Sequence, residues 1–168
     1  MKKIITKLPS LLAILVATAC SNGIKTYDGL YIVGTQGKEV TTTLTVDDVP
    51  SAIAVNVAAS ETVEQNTTVT LKAAPELVEA FNKEHHKNYE LLPQEAYKLE
   101  NAAQTIAQGK DISEMGTKLT IINRDAMKFG TTYVLPISID GVKGTSMPVI
   151  EASRTIYVVV NQVIVTKA

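Results

Sequence analysis

The chain has 168 residues, a single cysteine and a formal net charge of −1. Because one cysteine cannot form an internal disulfide, a small disulfide scaffold is excluded and the fold must rest on an apolar core. Without the three lysines of residues 1–19, 13 basic and 17 acidic residues remain, so the net charge is about −4. This balance argues against nucleic acid as a partner.

The first 19 residues have the three parts of a secretory signal. Lysines make the start positive, residues 8–16 are mostly apolar, and small residues occupy positions 17–19. As a helix, residues 8–19 would span roughly 18 Å. That is too short for the ~30 Å hydrocarbon core of a membrane, and no other apolar run approaches spanning length. The pattern therefore predicts a cleaved signal peptide rather than a transmembrane anchor.

Cys20 lies directly after these small residues, and this arrangement resembles a bacterial lipobox, although Ala17 stands where leucine is commoner. We predict a lipoprotein signal peptide over residues 1–19, acylation of Cys20 with chains such as palmitate, and a tether over residues 20–26. The membrane partner is then the outer membrane, reached through the lipid on Cys20, with the domain at the cell surface or on the periplasmic face. The alternative is an ordinary secretory signal followed by a chance cysteine.

Alternation of apolar residues with threonine and small residues predicts seven strands, since successive side chains of a strand point to opposite faces. The segments lie at residues 30–33, 40–46, 53–58, 69–73, 119–122, 133–139 and 156–165. The last segment is either a central strand covered on both faces or a strand that passes between sheets. We expect a mainly β fold over residues 27–168, an immunoglobulin-like antiparallel β-sandwich of about seven strands.

A helical insertion is predicted near residues 75–86. Pro75 suits a first helical turn and Glu76 favours the positive end of the helix dipole. Leu77, Val78 and Phe81 form one apolar face, and Asn88 is expected to take the left-handed cap. Residues 89–92 are predicted to be extended and residues 93–99 to include a further helical turn.

Three connections between strands are predicted from turn-forming residues. Residues 47–51 are expected to form a hairpin loop, because Asp, Pro and Ser separate two strands there. A short helical connection is expected over residues 123–128, ending at Gly130. Residues 141–144 are expected to form a loop.

The pair His85 and His86 is the first place to look for metal chemistry. Neighbours on a helix point about 100° apart, so the two imidazoles cannot easily share one metal. Glu84 and Glu90 lie near them in sequence, but they complete no known ligand spacing. We interpret the histidines as a solvated helix end, where an imidazole favours the negative end of the dipole.

No catalytic pattern stands out. Asp47 and Asp48 are the closest carboxylate pair, but they lie in a predicted turn rather than on two sides of a cleft. No serine stands in a Gly-x-Ser-x-Gly elbow. We therefore predict a protein that is not an enzyme, with no catalytic residue, no cofactor and no metal site.

Aromatic residues are few, with no tryptophan. Packing is the favoured interpretation of each tyrosine, because a large ring is more often buried in a core or interface than offered to a ligand. An exposed aromatic pair with polar neighbours on one face would instead indicate sugar binding. The six tyrosines are Tyr27, Tyr31, Tyr89, Tyr97, Tyr133 and Tyr157.

Residues 66–99, NTTVTLKAAPELVEAFNKEHHKNYELLPQEAYKL, resemble an N-terminal domain of unknown function found in many Bacteroidetes surface lipoproteins. That family shows a Thr/Val strand, then Pro-x-Leu-Val-x-x-Tyr/Phe-Asn and Asn-Tyr-x-x-Leu-Pro-x-x-Ala-Tyr. A later segment, residues 132–137, resembles its Tyr-x-Leu-Pro-Leu strand. Residues 85–87 depart from the family, where a glycine turn is frequent, and residues 101–116 depart from its regular strand. The matching positions are Pro75, Leu77, Val78, Phe81, Asn82, Asn88, Tyr89, Leu92, Pro93, Ala96 and Tyr97.

The resemblance implies an immunoglobulin-like sandwich that lies beside glycan-handling modules such as family-18 hydrolase-like barrels or laminin-G-like lectin domains. It supplies no catalytic residues. The first expected function is a spacer or interaction domain of an envelope protein that acquires glycans. The alternatives are a module that itself binds carbohydrate and, third, part of a glycoside hydrolase.

The C-terminal end prompts one further expectation. The apolar strand at residues 156–165 leaves hardly any polar tail before Ala168. We expect this strand to pair deep in the sheet. The resemblance implies that a second domain commonly follows at this point, so the 168 residues are either a minimal single-domain member or the front part of a longer protein.

Overall fold

The structure is a computed structural model that describes residues 28–36, 40–47 and 49–163. The predicted signal peptide, Cys20 and the tether lie outside the described residues, as do Tyr27, Asp48 and residues 164–168. The described chain forms one α-helix, α1 (Val78–His85), and eleven strands. The strands are β1 (Leu30–Ile32), β2 (Thr41–Val46), β3 (Ser51–Val55), β4 (Val57–Ala59), β5 (Thr67–Ala73), β6 (Glu90–Leu91), β7 (Tyr97–Glu100), β8 (Ala103–Ile106), β9 (Thr117–Ile121), β10 (Tyr133–Lys143) and β11 (Thr155–Gln162).

The strands form a β-sandwich, as predicted. A six-stranded sheet has the order β2-β11-β10-β5-β8, with β6 also paired to β10. A three-stranded sheet has the order β3-β9-β7, and β1 pairs with β4. One hydrophobic core contains side chains from all three sheets, among them Leu30, Leu44, Leu119, Leu135 and Val158.

Most strand pairs are antiparallel, as expected. In the described part of the chain, the parallel pairs are β2 with β11 and β6 with β10. The partners in each parallel pair are far apart in sequence, which parallel pairing requires because the chain must cross over between them.

The predicted strand at residues 156–165 is a central strand. β11 lies between β2 and β10 in the sheet. Its inward side chains Ile156, Val158 and Val160 belong to the main core, while Val159 is buried on the opposite face. Of the two alternatives, coverage on both faces is therefore confirmed for the described residues.

The helical insertion is also confirmed, with one correction. A 3₁₀ turn over Pro75–Leu77 leads into α1, with Glu76 in the first turn. The residue in the left-handed conformation is His86, with φ 52°, and not Asn88. The helix ends at His85, and Asn82 binds the chain that returns after it. Its side chain accepts from the Tyr89 amide at 3.1 Å and donates to the Tyr89 carbonyl at 2.8 Å.

All seven predicted strand segments contain strands, but the count of about seven is low. Residues 53–58 contain two strands, β3 and β4, which belong to different sheets. Residues 89–92 are extended as expected and contain β6. The helical turn predicted in residues 93–99 is the 3₁₀ turn Gln94–Ala96, after which β7 begins. β8 falls in the segment that departed from the family pattern.

Each of the three predicted connections needs a correction. β2 and β3 belong to different sheets, so the chain between them crosses the sandwich and forms no hairpin. Residues 123–128 form turns rather than a helix. Residues 141–143 continue β10 beyond a bulge after Ile139, because their backbone pairs with β5.

A buried polar side chain joins the two larger sheets. Gln104 in β8 is 1% exposed. Its amide nitrogen donates to the Val55 carbonyl in β3 at 2.8 Å and to the Thr117 hydroxyl in β9 at 2.9 Å. Its amide oxygen accepts from the Ser113 hydroxyl at 2.7 Å and from the Val57 amide at 3.2 Å. The four bonds satisfy the amide completely, which burial requires.

Candidate functional site

The helix α1 lies on the outer face of the six-stranded sheet. Phe81 is its buried residue, at 3% exposed. It forms a second apolar cluster with Val134 of β10 and Val159 of β11, separate from the main core. Of the predicted apolar face, Phe81 is confirmed at the centre of this cluster and Val78 at its edge, whereas Leu77 lies in the 3₁₀ turn before the helix and outside the cluster.

Phe81 is the centre of a group of rings that we call the aromatic cluster. Tyr157 stacks on it with ring centroids 4.2 Å apart and planes tilted by 21°. His85 lies at 4.5 Å and Tyr89 at 6.3 Å from the same ring. Both tyrosines are half-buried and His85 is exposed. The rings of Tyr157, His85 and Tyr89 are therefore partly exposed to solvent, and each packs on the buried ring of Phe81.

A concavity of about 660 Å³ opens on one side of the aromatic cluster, and we call it the main groove. Its floor is the outer face of the sheet, where the hydroxyls of Ser138 and Thr155 lie 2.6 Å apart. Its walls come from α1, the 3₁₀ turn before it and the turn before β11. It is lined by Val40, Lys72, Ala74, Glu76, Leu77, Glu84, His85, Ser138, Ile139, Asp140, Glu151, Ala152, Arg154, Thr155 and Tyr157.

The two cationic side chains of the main groove are paired with carboxylates. The ammonium of Lys72 lies 2.7 Å from Asp140. The guanidinium of Arg154 holds Glu151 through two bonds of 2.7 and 2.9 Å and also donates to the Ile139 carbonyl at 3.1 Å. Arg154 holds the pKa of Glu151 below its ordinary value of 4.5 through these hydrogen bonds.

The remaining acidic groups of the main groove act differently. Glu76 and Glu84 make no ion pair in the described structure. Glu84 lies close enough to Tyr157 to influence it electrostatically. Burial raises the pKa of the Tyr157 hydroxyl above 10, and the negative charge of Glu84 raises that pKa further.

A smaller concavity of about 280 Å³ opens on the other side of the aromatic cluster, and we call it the side groove. His85 lines both grooves, so the two meet at this ring. The ammonium of Lys87 lies 6.0 Å from the centre of the Tyr89 ring. The side groove is lined by Thr41, Thr43, Phe81, His85, Lys87, Tyr89, Val159 and Asn161.

The residues weighed as metal ligands or catalytic groups from sequence lie apart from one another or serve other roles. No group of three metal-ligating side chains occurs in the described ranges. His85 and Glu84 face the main groove, whereas His86 is the exposed residue that ends the helix. The Asp47 carbonyl accepts a bond of 2.7 Å from Arg124.

Tyr97 and Tyr133 lie in the core, as the packing interpretation predicted. Tyr89 and Tyr157 lie in the aromatic cluster, which sequence reasoning missed. One signal was available for Tyr157. It alternates with the inward residues Ile156 and Val158, and this alternation places its ring on the outer face.

No helix of the described ranges has the length and apolar character needed to cross a bilayer. The lipidation of Cys20 remains a prediction, because that residue lies outside the described structure.

A family model for an N-terminal domain matches residues 24–146. No curated protein matches the chain. Several solved structures from Bacteroides share its fold. A protein from Bacteroides ovatus, described as a candidate carbohydrate binder, superposes with a TM-score of 0.65 at 20% identity. EndoBT-3987 of Bacteroides thetaiotamicron, with a Man5GlcNAc product, superposes with 0.63 at 18% identity. A two-domain protein of unknown function from Bacteroides fragilis superposes with 0.62 at 19% identity.

The three superpositions cover 81%, 79% and 84% of this chain. In the other direction, this chain spans only 37%, 30% and 48% of those proteins. At such identities the likeness shows the fold alone. Two of the three proteins are linked to carbohydrate, one by its description as a candidate carbohydrate binder and the other by its Man5GlcNAc product.

Proposed function

Because the chain belongs to a family of N-terminal domains of Bacteroidetes proteins, we propose that it is a non-enzymatic β-sandwich module of an envelope protein that acquires glycans. The observation that carries the proposal is the recurrence of this sandwich in two Bacteroides proteins linked to carbohydrate. In each of them it is well under half of the chain, so other domains accompany it. The module acts as a spacer or interaction domain that holds a glycan-handling partner, on the same chain or a separate one, away from the membrane.

The non-enzymatic role is tested by turnover. A general acid for glycoside hydrolysis needs a carboxyl with a raised pKa. Glu100 and Glu151 do not suit that role, because Lys98 and Arg154 lower their pKa values. We expect the purified chain to release no reducing ends from Man5GlcNAc or from plant and host polysaccharides. Turnover that rises with the concentration of the chain would contradict the proposal.

The proposed anchor is the lipid on Cys20. Two or more acyl chains, each contributing about 0.8 kcal/mol per buried CH₂, give stable membrane attachment. Cys20→Ala is therefore expected to move the protein from the membrane fraction to the soluble fraction, while Ser21→Ala leaves it in the membrane. Protease treatment of intact cells then distinguishes the cell surface from the periplasmic face. Retention of Cys20→Ala in the membrane fraction would place the anchor elsewhere.

Glycan acquisition is tested by growth of the native bacterium. Deletion of the reading frame is expected to slow growth on at least one complex glycan and to leave growth on glucose unchanged. The wild-type chain restores growth, and Cys20→Ala does not, because a released spacer cannot hold its partner at the membrane. Unchanged growth of the deletion strain on every glycan would contradict the proposal.

A second candidate function is direct binding of carbohydrate by this domain. The observation that favours it is the aromatic cluster, whose rings lie between two grooves lined by polar side chains. Participation in hydrolysis, the third alternative, has no such support among the described residues.

A further inference from the structure

We propose that the main groove and the side groove together form one binding site for a short neutral oligosaccharide, and that the ligand crosses the ring of His85 where they meet. This site deepens the second candidate function. The spacer role does not depend on it, because the module can hold a partner whether or not its own groove is occupied.

The aromatic cluster supplies the apolar surface that a pyranose needs. One face of a sugar ring carries mainly C–H groups, which pack on aromatic rings, while its hydroxyls seek hydrogen bonds. Tyr157 lines the main groove, Tyr89 lines the side groove, and His85 lines both. All three contact Phe81, which is buried and holds them in place. Rigid rings lose little conformational entropy when a ligand binds.

Polar groups line the main groove together with the rings of Tyr157 and His85. The hydroxyls of Ser138 and Thr155 form the floor of the main groove, and the carboxylates of Glu76 and Glu84 form part of its wall. Hydroxyl and carboxylate oxygens accept hydrogen bonds from sugar hydroxyls, and Ser and Thr also donate. The site thus combines apolar surface with a small number of oriented polar groups, as small-ligand sites do.

The charge of the main groove selects against acidic sugars. Its lining contains four carboxylates, those of Glu76, Glu84, Asp140 and Glu151, against the two cations Lys72 and Arg154. Both cations are already paired with carboxylates. A uronate or sulfate group in the main groove would therefore meet net negative charge and no free cation. Lys87 adds one cation in the side groove, so the two grooves together carry four carboxylates against three cations. A neutral oligosaccharide avoids this repulsion.

The size of the grooves suits a short oligosaccharide rather than a single sugar or a folded polysaccharide. The main groove, at about 660 Å³, falls within the range of roughly 300–1,000 Å³ for small-ligand sites. The side groove adds about 280 Å³ beyond His85. Occupation of both grooves therefore requires at least two linked sugar rings, with His85 beneath the linkage or one of the rings.

Adjacent histidines provide a matched pair of variants. His85→Asn removes the ring shared by the two grooves. His86→Asn removes the same ring type one position later, at a residue that lines neither groove. Asparagine tolerates the left-handed conformation that His86 adopts, so the control introduces little backbone strain.

The experiment is a calorimetric titration of the full chain with neutral trisaccharides of glucose, mannose, galactose and N-acetylglucosamine, and with trigalacturonate. We expect saturable binding of at least one neutral trisaccharide and none of trigalacturonate. His85→Asn should raise the Kd at least tenfold, while His86→Asn should keep the wild-type Kd. Circular dichroism checks that both variants remain folded. Failure of every neutral trisaccharide to bind, tighter binding of trigalacturonate, or equal effects of the two substitutions would overturn the proposal. The anchoring and growth experiments test the spacer role independently of all these outcomes.

Discussion

Replacement of Phe81 by alanine tests whether one side chain holds α1 on the sheet. Phe81 is 3% exposed and packs on Val134 and Val159. The ring also stacks on Tyr157 at 4.2 Å and contacts His85 at 4.5 Å. Phe81→Ala removes all of these contacts and leaves a cavity between the helix and the sheet.

The expected loss of unfolding free energy is about 3–5 kcal/mol, the usual cost of Phe→Ala in a packed environment. Helix formation alone cannot compensate, because α1 has only eight residues and isolated helices below about 12 residues are marginal in water. A domain of this size has an unfolding free energy of roughly 5–15 kcal/mol, so the variant should fold but lose a large part of that free energy.

The assay is urea unfolding followed by far-ultraviolet circular dichroism, with Leu77→Ala as the control. Leu77 is half-buried in the 3₁₀ turn before the helix, so its truncation should cost about 1 kcal/mol or less. A cost below about 1 kcal/mol for Phe81→Ala, or one equal to that of the control, would refute the claim that this ring docks the helix.

Two further predictions concern the sheet junction and the edge of the groove. Gln104→Ala should lower the unfolding free energy by about 2–4 kcal/mol, because it leaves buried partners unsatisfied. Thr105→Ala, on the exposed side of the same strand, should change it by less than about 0.5 kcal/mol. Equal urea midpoints for the two variants would contradict this prediction. The pKa of Tyr157 should lie above 10 in an alkaline absorbance titration, so stability is retained below pH 10 and falls as the pH rises through the raised pKa. Glu84→Gln should lower that pKa, while Glu79→Gln, at an exposed position earlier in the helix, should leave it unchanged. A Tyr157 pKa that is insensitive to Glu84 would show that the carboxylate does not face the ring.

The long strands could be predicted because their alternation is strong. In β2, Leu44 and Val46 face the core while Thr43 and Thr45 are exposed, and the sequence shows this period of two directly. β8 was missed for the opposite reason. Its inward residues are Gln104 and Ile106, and a glutamine at an inward position breaks the apolar pattern. Its burial depends on partners in β3 and β9, which local sequence cannot indicate.

The connections failed because local turn chemistry does not specify which sheet the next strand joins. Asp47 and Pro50 suit a turn, and the chain does turn there, but β3 pairs with β9 and not with β2. Likewise Gly141 and Gly144 indicated a loop, whereas pairing with β5 extends β10 to Lys143. In both places long-range pairing decides the outcome over local preference.

The candidate site was predictable only in part. The helix and its apolar residue Phe81 follow from sequence, and so does the outward position of Tyr157. The convergence of Tyr89, His85 and Tyr157 on Phe81 does not, because it depends on how the helix lies across two strands. The backbone of Tyr89 is held by two bonds to the side chain of Asn82, seven residues earlier in the chain, and the sequence does not indicate this pairing.

The grooves follow from the different lengths of the helix and of the strands beneath it. An eight-residue helix is about 12 Å long, whereas the eleven residues of β10 extend over about 37 Å. The helix therefore covers the apolar outward positions Val134 and Val159 and leaves the rest of the outer face open. Where the cover ends, the outward residues change from valine to Ser138 and then to the exposed Asp140, which pairs with Lys72. The short helix α1 thus completes the outer apolar cluster and also places the aromatic cluster beside a polar surface. Aromatic rings beside a polar surface distinguish this face of the sandwich.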